Sequence, residues 1–399
     1  MRELLSVEDY LAELLDLVRP DARTEVVTLE GSYGRVLGAD VASRVSIPVF
    51  DNSAMDGYAV RWSDVSVTPT TLVVVGEVPA GSSEDPGCGP GECVRIMTGA
   101  PVPTFADTVV PVEDTDGGVE TVTIQAATRG AHVRRAGEDL AAGAVLARAG
   151  AVLTPALVGA LAASGVTSVA VTPRPVVAVC ATGDELVSDG SALRRGQIYE
   201  SNSLTLATAL TRDGAEARRG APVADRAEAL TAWLDTAAAE ADLIVLSGGV
   251  SVGAYDVVRD VLAAAGGTFR HVRMQPGKPQ GWAVWAGTPV VALPGNPLSA
   301  SLSYEMFVRP LLDRILGRAA RLGATAVAET GWTSPAGRRQ LVPVVVSCGP
   351  DGRLLARPSH ARGSASHLVS SLAEADGVAV VAEDVTAVAP GDLVAVRWL

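Results

Sequence analysis

Between Pro173 and Gly323 the sequence alternates apolar runs of strand length with helical patterns, and this constrains the fold more than any other feature. Residues 176–180, 216–219, 243–246, 269–274, 282–285 and 290–293 read as strands. Residues 203–210, 226–239 and 299–316 read as helices. Another helix runs from about Ala254, with Val257, Val258, Val261 and Leu262 on one side. Strand–helix alternation predicts a mainly parallel, doubly wound sheet with helices on both faces. Ligands of such sheets sit beyond the carboxyl ends of the strands.

The most informative loop in this region runs from Asp242 to Asp256. A strand breaks at Ser247-Gly248-Gly249 and resumes as a helix, with Asp256 expected about one turn in. A strand, a glycine-rich turn and a helix start aim backbone N–H groups at an anion. Glycine is required because a Cβ would block close approach. Ser247, Gly248, Gly249 and Ser251 are therefore candidate phosphate-binding residues. Three more loops are read as following strands: Thr182-Gly183-Asp184-Glu185, Pro276-Gly277-Lys278-Pro279 and Pro294-Gly295-Asn296-Pro297. Their convergence on one sheet edge would gather Asp184, Glu185, Asp225 and Asp256. Carboxylates beside a phosphate repel it unless a divalent cation bridges them. Mg²⁺ binds through one or two carboxylates plus phosphate oxygens, so Glu185 and Asp256 are candidate ligands. Lys278, the only lysine, would place positive charge against an oxyanion. The plainer reading makes Asp184 and Asp225 helix-start residues favoured by the helix dipole.

The flanks are different. Ser6 caps an amphipathic helix carrying Leu11, Leu14, Leu15 and Val18, which Pro20 is expected to stop. Short β runs between residues 71 and 128 predict a small β domain, and similar runs after about Gly323 a second. The second carries Arg338, Arg339 and Gly363-Ser-Ala-Ser-His367; the serine-rich stretch reads most simply as a surface loop. Asp51, Asn52, Ser53 and Asp56 crowd a turn-rich stretch and serve equally well as a structural turn or a ligand set. Arg134, Arg135, Glu138 and Asp139 read as a solvated ion-pair cluster.

A net charge of −13 without a polybasic run argues against nucleic-acid and membrane-surface partners. Cys88 and Cys93 form a C-x4-C pair with no second pair and read as ordinary thiols rather than zinc ligands. Few cysteines and an N-terminal region without an apolar h-region predict a cytoplasmic protein. Walker A, H-E-x-x-H and G-x-G-x-x-G patterns are absent. Gly249-Val-Ser-Val-Gly253 matches the nucleophile elbow of serine hydrolases, yet Ser251 lies several residues past the strand end. His271, His360 and His367 offer it no clear partner, so this alternative is the weaker one.

Eight blocks in one order carry a family resemblance. They are Phe50-Asp-Asn-Ser-Ala-Met-Asp-Gly-Tyr-Ala59, Arg95-Ile-Met-Thr-Gly-Ala-Pro101, Arg135-Ala-Gly-Glu-Asp139, Thr182-Gly-Asp-Glu-Leu186, Gly196-Gln-Ile-Tyr199, Ser247-Gly-Gly-Val-Ser-Val-Gly253, Pro276-Gly-Lys-Pro279 and Leu293-Pro-Gly-Asn-Pro297. Through them nearly the whole chain resembles the molybdopterin molybdenumtransferase, or MoeA, family, and is similar to the C-terminal enzyme domain of gephyrin. The resemblance implies a reaction in which adenylylated molybdopterin and molybdate give molybdenum-molybdopterin, with Mg²⁺-assisted release of AMP. It implies a homodimer with the site between subunits. It implies four domains: 1–46 with 140–173, an inserted β-rich domain 47–139, a MogA-like α/β domain 174–320 and a β-barrel-like domain 321–399. It assigns functional positions to Asp56, Thr98 and Asp139 of the inserted domain and to Glu185, Asp225 and Asp256 of the α/β domain. Pro294 and Pro297 match a rigid loop, and Arg339 and Ser366 fall where molybdate is held. The adenylyltransferase of the pathway and molybdoenzyme acceptors are implied partners. Gln275 and His271 stand where the family often has basic residues; Arg270 and Arg273 could compensate in charge, although arginine does not replace lysine's compact ammonium. Two alternatives on this fold stay open: a non-catalytic pterin-binding scaffold, and a MogA-like adenylylating protein, against which the extra β domains argue.

Overall fold

A computed structural model describes residues 4–250 and 256–399. The chain divides into two compact units, one of residues 1–25, 34–38 and 172–399, the other of 26–33 and 39–171.

The larger unit is built on a six-stranded sheet, in the order Glu216–Arg219, Val176–Ala181, Leu243–Ser247, Thr288–Leu293, Pro279–Trp285, Thr268–His271. The first four strands are parallel, and the last two add antiparallel edges. Near-continuous apolar strands follow from burial on both faces. Alternate residues divide accordingly. Val177, Val179, Val245 and Leu293 pack toward the helices Val7–Leu15 and Pro297–Ser303. Cys180, Ile244, Leu246 and Ala292 pack toward Ala227–Ala238 and Val257–Ala264.

Three expected elements differ. The N-terminal helix is capped as expected, with the Asp9 N–H donating to Ser6 Oγ at 3.0 Å, but it ends at Leu15. Leu17 and Val18 bond back three residues, because Pro20 already disfavours helical dihedrals at the residue before it. The run 269–274 splits: Thr268–His271 stays in the α/β sheet, while Met274–Gln275 pairs in parallel with Arg339 and Gln340. The long helix begins two residues early, with Pro297 in its first turn, and opens into a π turn over Tyr304–Val308. Pro310, which has no N–H for the i−4 carbonyl and crowds the preceding turn, follows directly.

The C-terminal strands Arg339–Cys348, Leu354–Pro358, Ala324–Ala328, Leu393–Trp398 and Gly377–Val381 pair in that order, and the last returns to the first. The sheet closes as a barrel, which removes its free edges. Its interior is mostly Ala and Val, as so few aromatics require.

In the smaller unit, five strands run Thr108–Pro111, Gly57–Val60, Glu92–Ile96, Thr70–Val78, Thr121–Ile124. Gly57 belongs to a strand, and a Cβ there would collide with the Val110 carbonyl. Cys93 is buried between these strands, and burial pushes its thiol up to about 12, so it stays protonated and inert.

Candidate active site

A cavity of about 830 Å³ opens where the α/β loops meet the barrel. Thr182, Gly183, Glu185 and Asp225 line one side, and Ser247, Gly248, Gly249 and Asp256 continue it. Pro276, Gly277 and Lys278 enter from another direction, beside Pro294, Gly295, Asn296 and Pro297. The Pro276–Pro279 loop follows a strand of the barrel sheet and precedes an antiparallel strand, Pro279–Trp285. The amino end of that strand lies at the carboxyl ends of the parallel ones, since Gly281 pairs with Ala292, so the loop still reaches the same edge.

The glycine turn is shaped by close approach. Gly248 has φ +109°, and a Cβ there would stand 2.8 Å from the Thr182 carbonyl oxygen. A Cβ on Gly249, at φ +63°, would stand 2.7 Å from Val258 Cγ2. Two amides of this edge are already used: Gly248 N–H donates to the Leu293 carbonyl and Gly183 N–H to the Val223 carbonyl. An anion must therefore take its donors elsewhere. The Thr182 hydroxyl is free to supply one: it is buried in the cavity wall with no hydrogen-bond partner among the described residues. Ser251 lies outside the described residues.

The acids fall into distinct places. Asp256 occupies the N-cap position of the helix Val257–Ala264, rather than one turn inside it. Asp184 does not line the cavity; its N–H donates to Asp225 Oδ2 at 3.4 Å, and the Asp225 N–H returns to Asp184 Oδ1 at 3.2 Å. Burial, followed by repulsion from Asp184, Glu185 and Asp256, raises the Asp225 carboxyl above the usual carboxylate range. Among the described residues no three His, Cys, Asp or Glu side chains are grouped to hold a metal ion. Glu185, Asp225 and Asp256 nevertheless line one cavity, and the first and last repel the Asp225 carboxylate. This donor set fits a hard divalent cation held by one or two carboxylates, with ligand phosphates completing its shell.

The cations differ from expectation. Arg339 forms ion pairs with Glu8 and Glu383 and does not line the cavity. Its neighbour Arg338 does, and donates to Gln275 Oε1 at 3.1 Å. Adjacent positions entering a strand point to opposite sides, which the sequence could not resolve by one residue. Arg270 pairs with Glu13, away from the cavity. The serine-rich stretch is not a detached surface loop. Ser364, Ser366 and His367 line the cavity, and Asn296 Nδ2 donates to Ser366 Oγ at 3.0 Å. Asn202, Glu200 and Tyr199 also line it and were missed. Their signal was the Gly196-Gln-Ile-Tyr199 block, which ends in Tyr199 and directly precedes the other two.

Asp56, Thr98 and Asp139 belong to the smaller unit and are exposed there. Thr98 donates to Asp56 Oδ1 through both its N–H, at 2.6 Å, and its hydroxyl, at 2.7 Å, which holds the carboxyl below its ordinary range. Asp51 is bound by Arg135 and the Ala136 N–H, and Ser53 Oγ donates to the Met55 carbonyl. These bonds brace the turn locally.

With that geometry in place, comparison with known proteins is decisive. Family descriptions match in chain order: MoeA N-terminal region (domain I and II) over residues 5–165, probable molybdopterin binding domain over 178–314, and MoeA C-terminal region (domain IV) over 325–399. Molybdopterin molybdenumtransferase 2 of Mycobacterium tuberculosis is 44% identical over 413 residues, 98% of each chain. The chain belongs to the MoeA family. It is an enzyme of that transferase family. The molybdopterin molybdenumtransferase of Nostoc is 40% identical over 74% of this chain and 70% of its own. A crystal structure titled molybdopterin biosynthesis MoeA protein, from Pyrococcus horikoshii, superposes with TM-score 0.80 at 32% identity, covering 99% of both chains. The MoeA architecture thus accounts for the doubly wound sheet, the separate β-rich part and the C-terminal barrel. No helix of the described residues is long and apolar enough to cross a membrane.

Proposed function

We propose that this chain inserts molybdenum into molybdopterin, with adenylylated molybdopterin and molybdate as substrates and AMP as the released product. One observation carries the reading: in a MoeA-family chain, Asp225 with two acids that repel it, a glycine turn, a buried hydroxyl without a partner among the described residues and two cations line one cavity. Mg²⁺, held by Glu185 and Asp256, would neutralise the phosphates between the acids. Thr182 would donate to a phosphate oxygen. Asp225 would accept a proton from the water that cleaves the phosphoanhydride, and its raised carboxyl supports that role. That cleavage breaks one P–O bond and leaves AMP and the pterin monophosphate. Lys278 and Arg338, with Ser366, would hold molybdate, and Arg338 takes the role expected of Arg339. Asp56, Thr98 and Asp139 would face the cavity of a second copy in a homodimer of four-domain chains. The reading further implies a cytoplasmic enzyme, supplied by the pathway's adenylyltransferase and serving molybdoenzyme acceptors.

The test is release of AMP from adenylylated molybdopterin by the purified protein. Release should require both Mg²⁺ and molybdate and should fall at least about 100-fold in Asp256→Ala. No release with both present, together with unchanged behaviour of Asp256→Ala, rejects the proposal. Fluorophosphonate labelling at Ser251 would instead favour the hydrolase alternative; no labelling is expected.

A further inference from the structure

Asn202 is the first residue of the helix Asn202–Arg212 and was not among the residues expected in the site. Its side-chain nitrogen donates to Ser247 Oγ at 2.9 Å and to the Gly295 carbonyl at 2.7 Å. The second bond settles the amide orientation, since the side-chain oxygen could not face a carbonyl. Ser247 Oγ lies 3.2 Å from the Pro294 carbonyl and donates to it. Because the Ser247 hydroxyl accepts from Asn202 and gives its proton to Pro294, it is consumed in holding the cavity wall. It has no proton left for a phosphate. One amide thus clasps the end of the strand Leu243–Ser247, directly before the glycine turn, to the Pro294–Pro297 loop. The far side of that loop is held by Asn296 on Ser366. Gly295 packs directly on this turn: a Cβ there would be 3.4 Å from Gly248 Cα. The spacing between turn and loop is therefore set by the clasp together with this contact.

We propose that Asn202 is a positioning residue of the site, fixing the distance between the glycine turn and the Pro294–Pro297 loop so that both reach one phosphorylated ligand. Ser247 acts with it as a brace rather than as a ligand to phosphate. This rests on the proposed function for the identity of the ligand, but its structural content can be read with AMP alone.

Three variants test it: Asn202→Ala, Asn202→Asp and Ser247→Ala. AMP affinity is measured by calorimetry with Mg²⁺ present, and kcat and KM are measured for AMP release. Asn202→Ala should lose about 10- to 100-fold in AMP affinity and in kcat/KM, the scale of a small misplacement of catalytic groups. Ser247→Ala keeps the Asn202–Gly295 bond and should lose less. Asn202→Asp is the diagnostic variant. Its carboxylate repels the Gly295 carbonyl, whereas its protonated form can donate to it. Activity relative to wild type should therefore recover as pH falls, a limb absent from Asn202→Ala. If Asn202→Ala binds AMP and turns over like wild type, or only melts earlier with kinetics intact, the assignment is wrong. A larger loss in Ser247→Ala than in Asn202→Ala would also overturn it, returning Ser247 to direct contact with phosphate. A wild-type protein that binds AMP but releases none from the adenylylated pterin refutes the proposed function and leaves this inference standing on the binding data.

Discussion

Replacing Gly248 by alanine separates backbone strain from steric collision at the centre of the site. Gly248 sits at φ +109°, where an L-residue is strained by about 1–3 kcal/mol. The added methyl would stand 2.8 Å from the Thr182 carbonyl oxygen and 2.9 Å from its hydroxyl. The carbonyl belongs to backbone already tied to the neighbouring strand, with Thr182 N–H donating to the Ser247 carbonyl, so it cannot swing away. Overpacking of this kind adds roughly 1–3 kcal/mol. Gly248→Ala should therefore destabilise the larger unit by about 2–6 kcal/mol, a fall in melting temperature of roughly 4–24 °C. Two other glycines calibrate the two effects. Gly190 has φ +74° and open space around its Cβ position, so Gly190→Ala isolates strain, about 1–2 kcal/mol. Gly295 has no positive φ, and its nearest contact would be 3.4 Å from Gly248 Cα, so Gly295→Ala should stay within about 1 kcal/mol of wild type. Thermal melting of the three variants, with AMP binding measured in parallel, gives the order Gly248, Gly190, Gly295. If Gly248→Ala melts with Gly295→Ala and binds AMP normally, the close approach inferred for the turn does not exist in solution.

Four further outcomes are expected. Asp225→Asn removes a carboxyl whose pKa is raised, so the folded state binds the extra proton. Its penalty is absent below the ordinary value near 3.8 and complete above the raised one. The variant should melt higher than wild type at pH 7, match it at low pH, and lose turnover; a lower melting temperature at pH 7 contradicts this. Asp213 is fully buried against Arg212, Arg321 and Tyr304, and these partners hold its carboxyl low despite burial. The stability it provides is present above pH 3.8 and is lost as pH falls through the lowered value, and Asp213→Ala should cost about 3–5 kcal/mol. Arg338→Ala should weaken molybdate binding while leaving stability near wild type, whereas Arg339→Ala should do the reverse through Glu8 and Glu383; calorimetry and melting distinguish them. Leu246→Ala, at a position with no exposure, should cost about 2–5 kcal/mol by denaturant unfolding.

The parallel sheet could be read from the chain because its signal is local. Val176–Ala181 and Leu243–Ser247 are apolar at consecutive positions, and glycine or proline marks each exit. The loops carrying Thr182, Glu185, Lys278 and Asn296 were legible because composition alone sets polar, conformationally special stretches apart from strands. Where tertiary constraints competed, the reading was coarser. Residues 269–274 looked like one strand, yet the run breaks after His271 and its last residue joins the barrel sheet, because Met274–Gln275 finds its partner some sixty residues later, at Arg339 and Gln340. The serine-rich stretch looked like a surface loop because nothing within it announces that Asn296 will bond Ser366.

By itself the sequence determined where backbone must approach closely, which stretches must be buried on both faces, and which residue types are present to meet an anion. These depend on dihedral freedom and side-chain chemistry within a few residues. Only the tertiary structure decided that Arg338 rather than Arg339 reaches the cavity, that the amides of Gly183 and Gly248 are already paired, and that Asn202 clasps two loops. Each of these depends on one atom's distance to another far along the chain. Such distances follow from how the sheet and barrel pack, which no local pattern encodes.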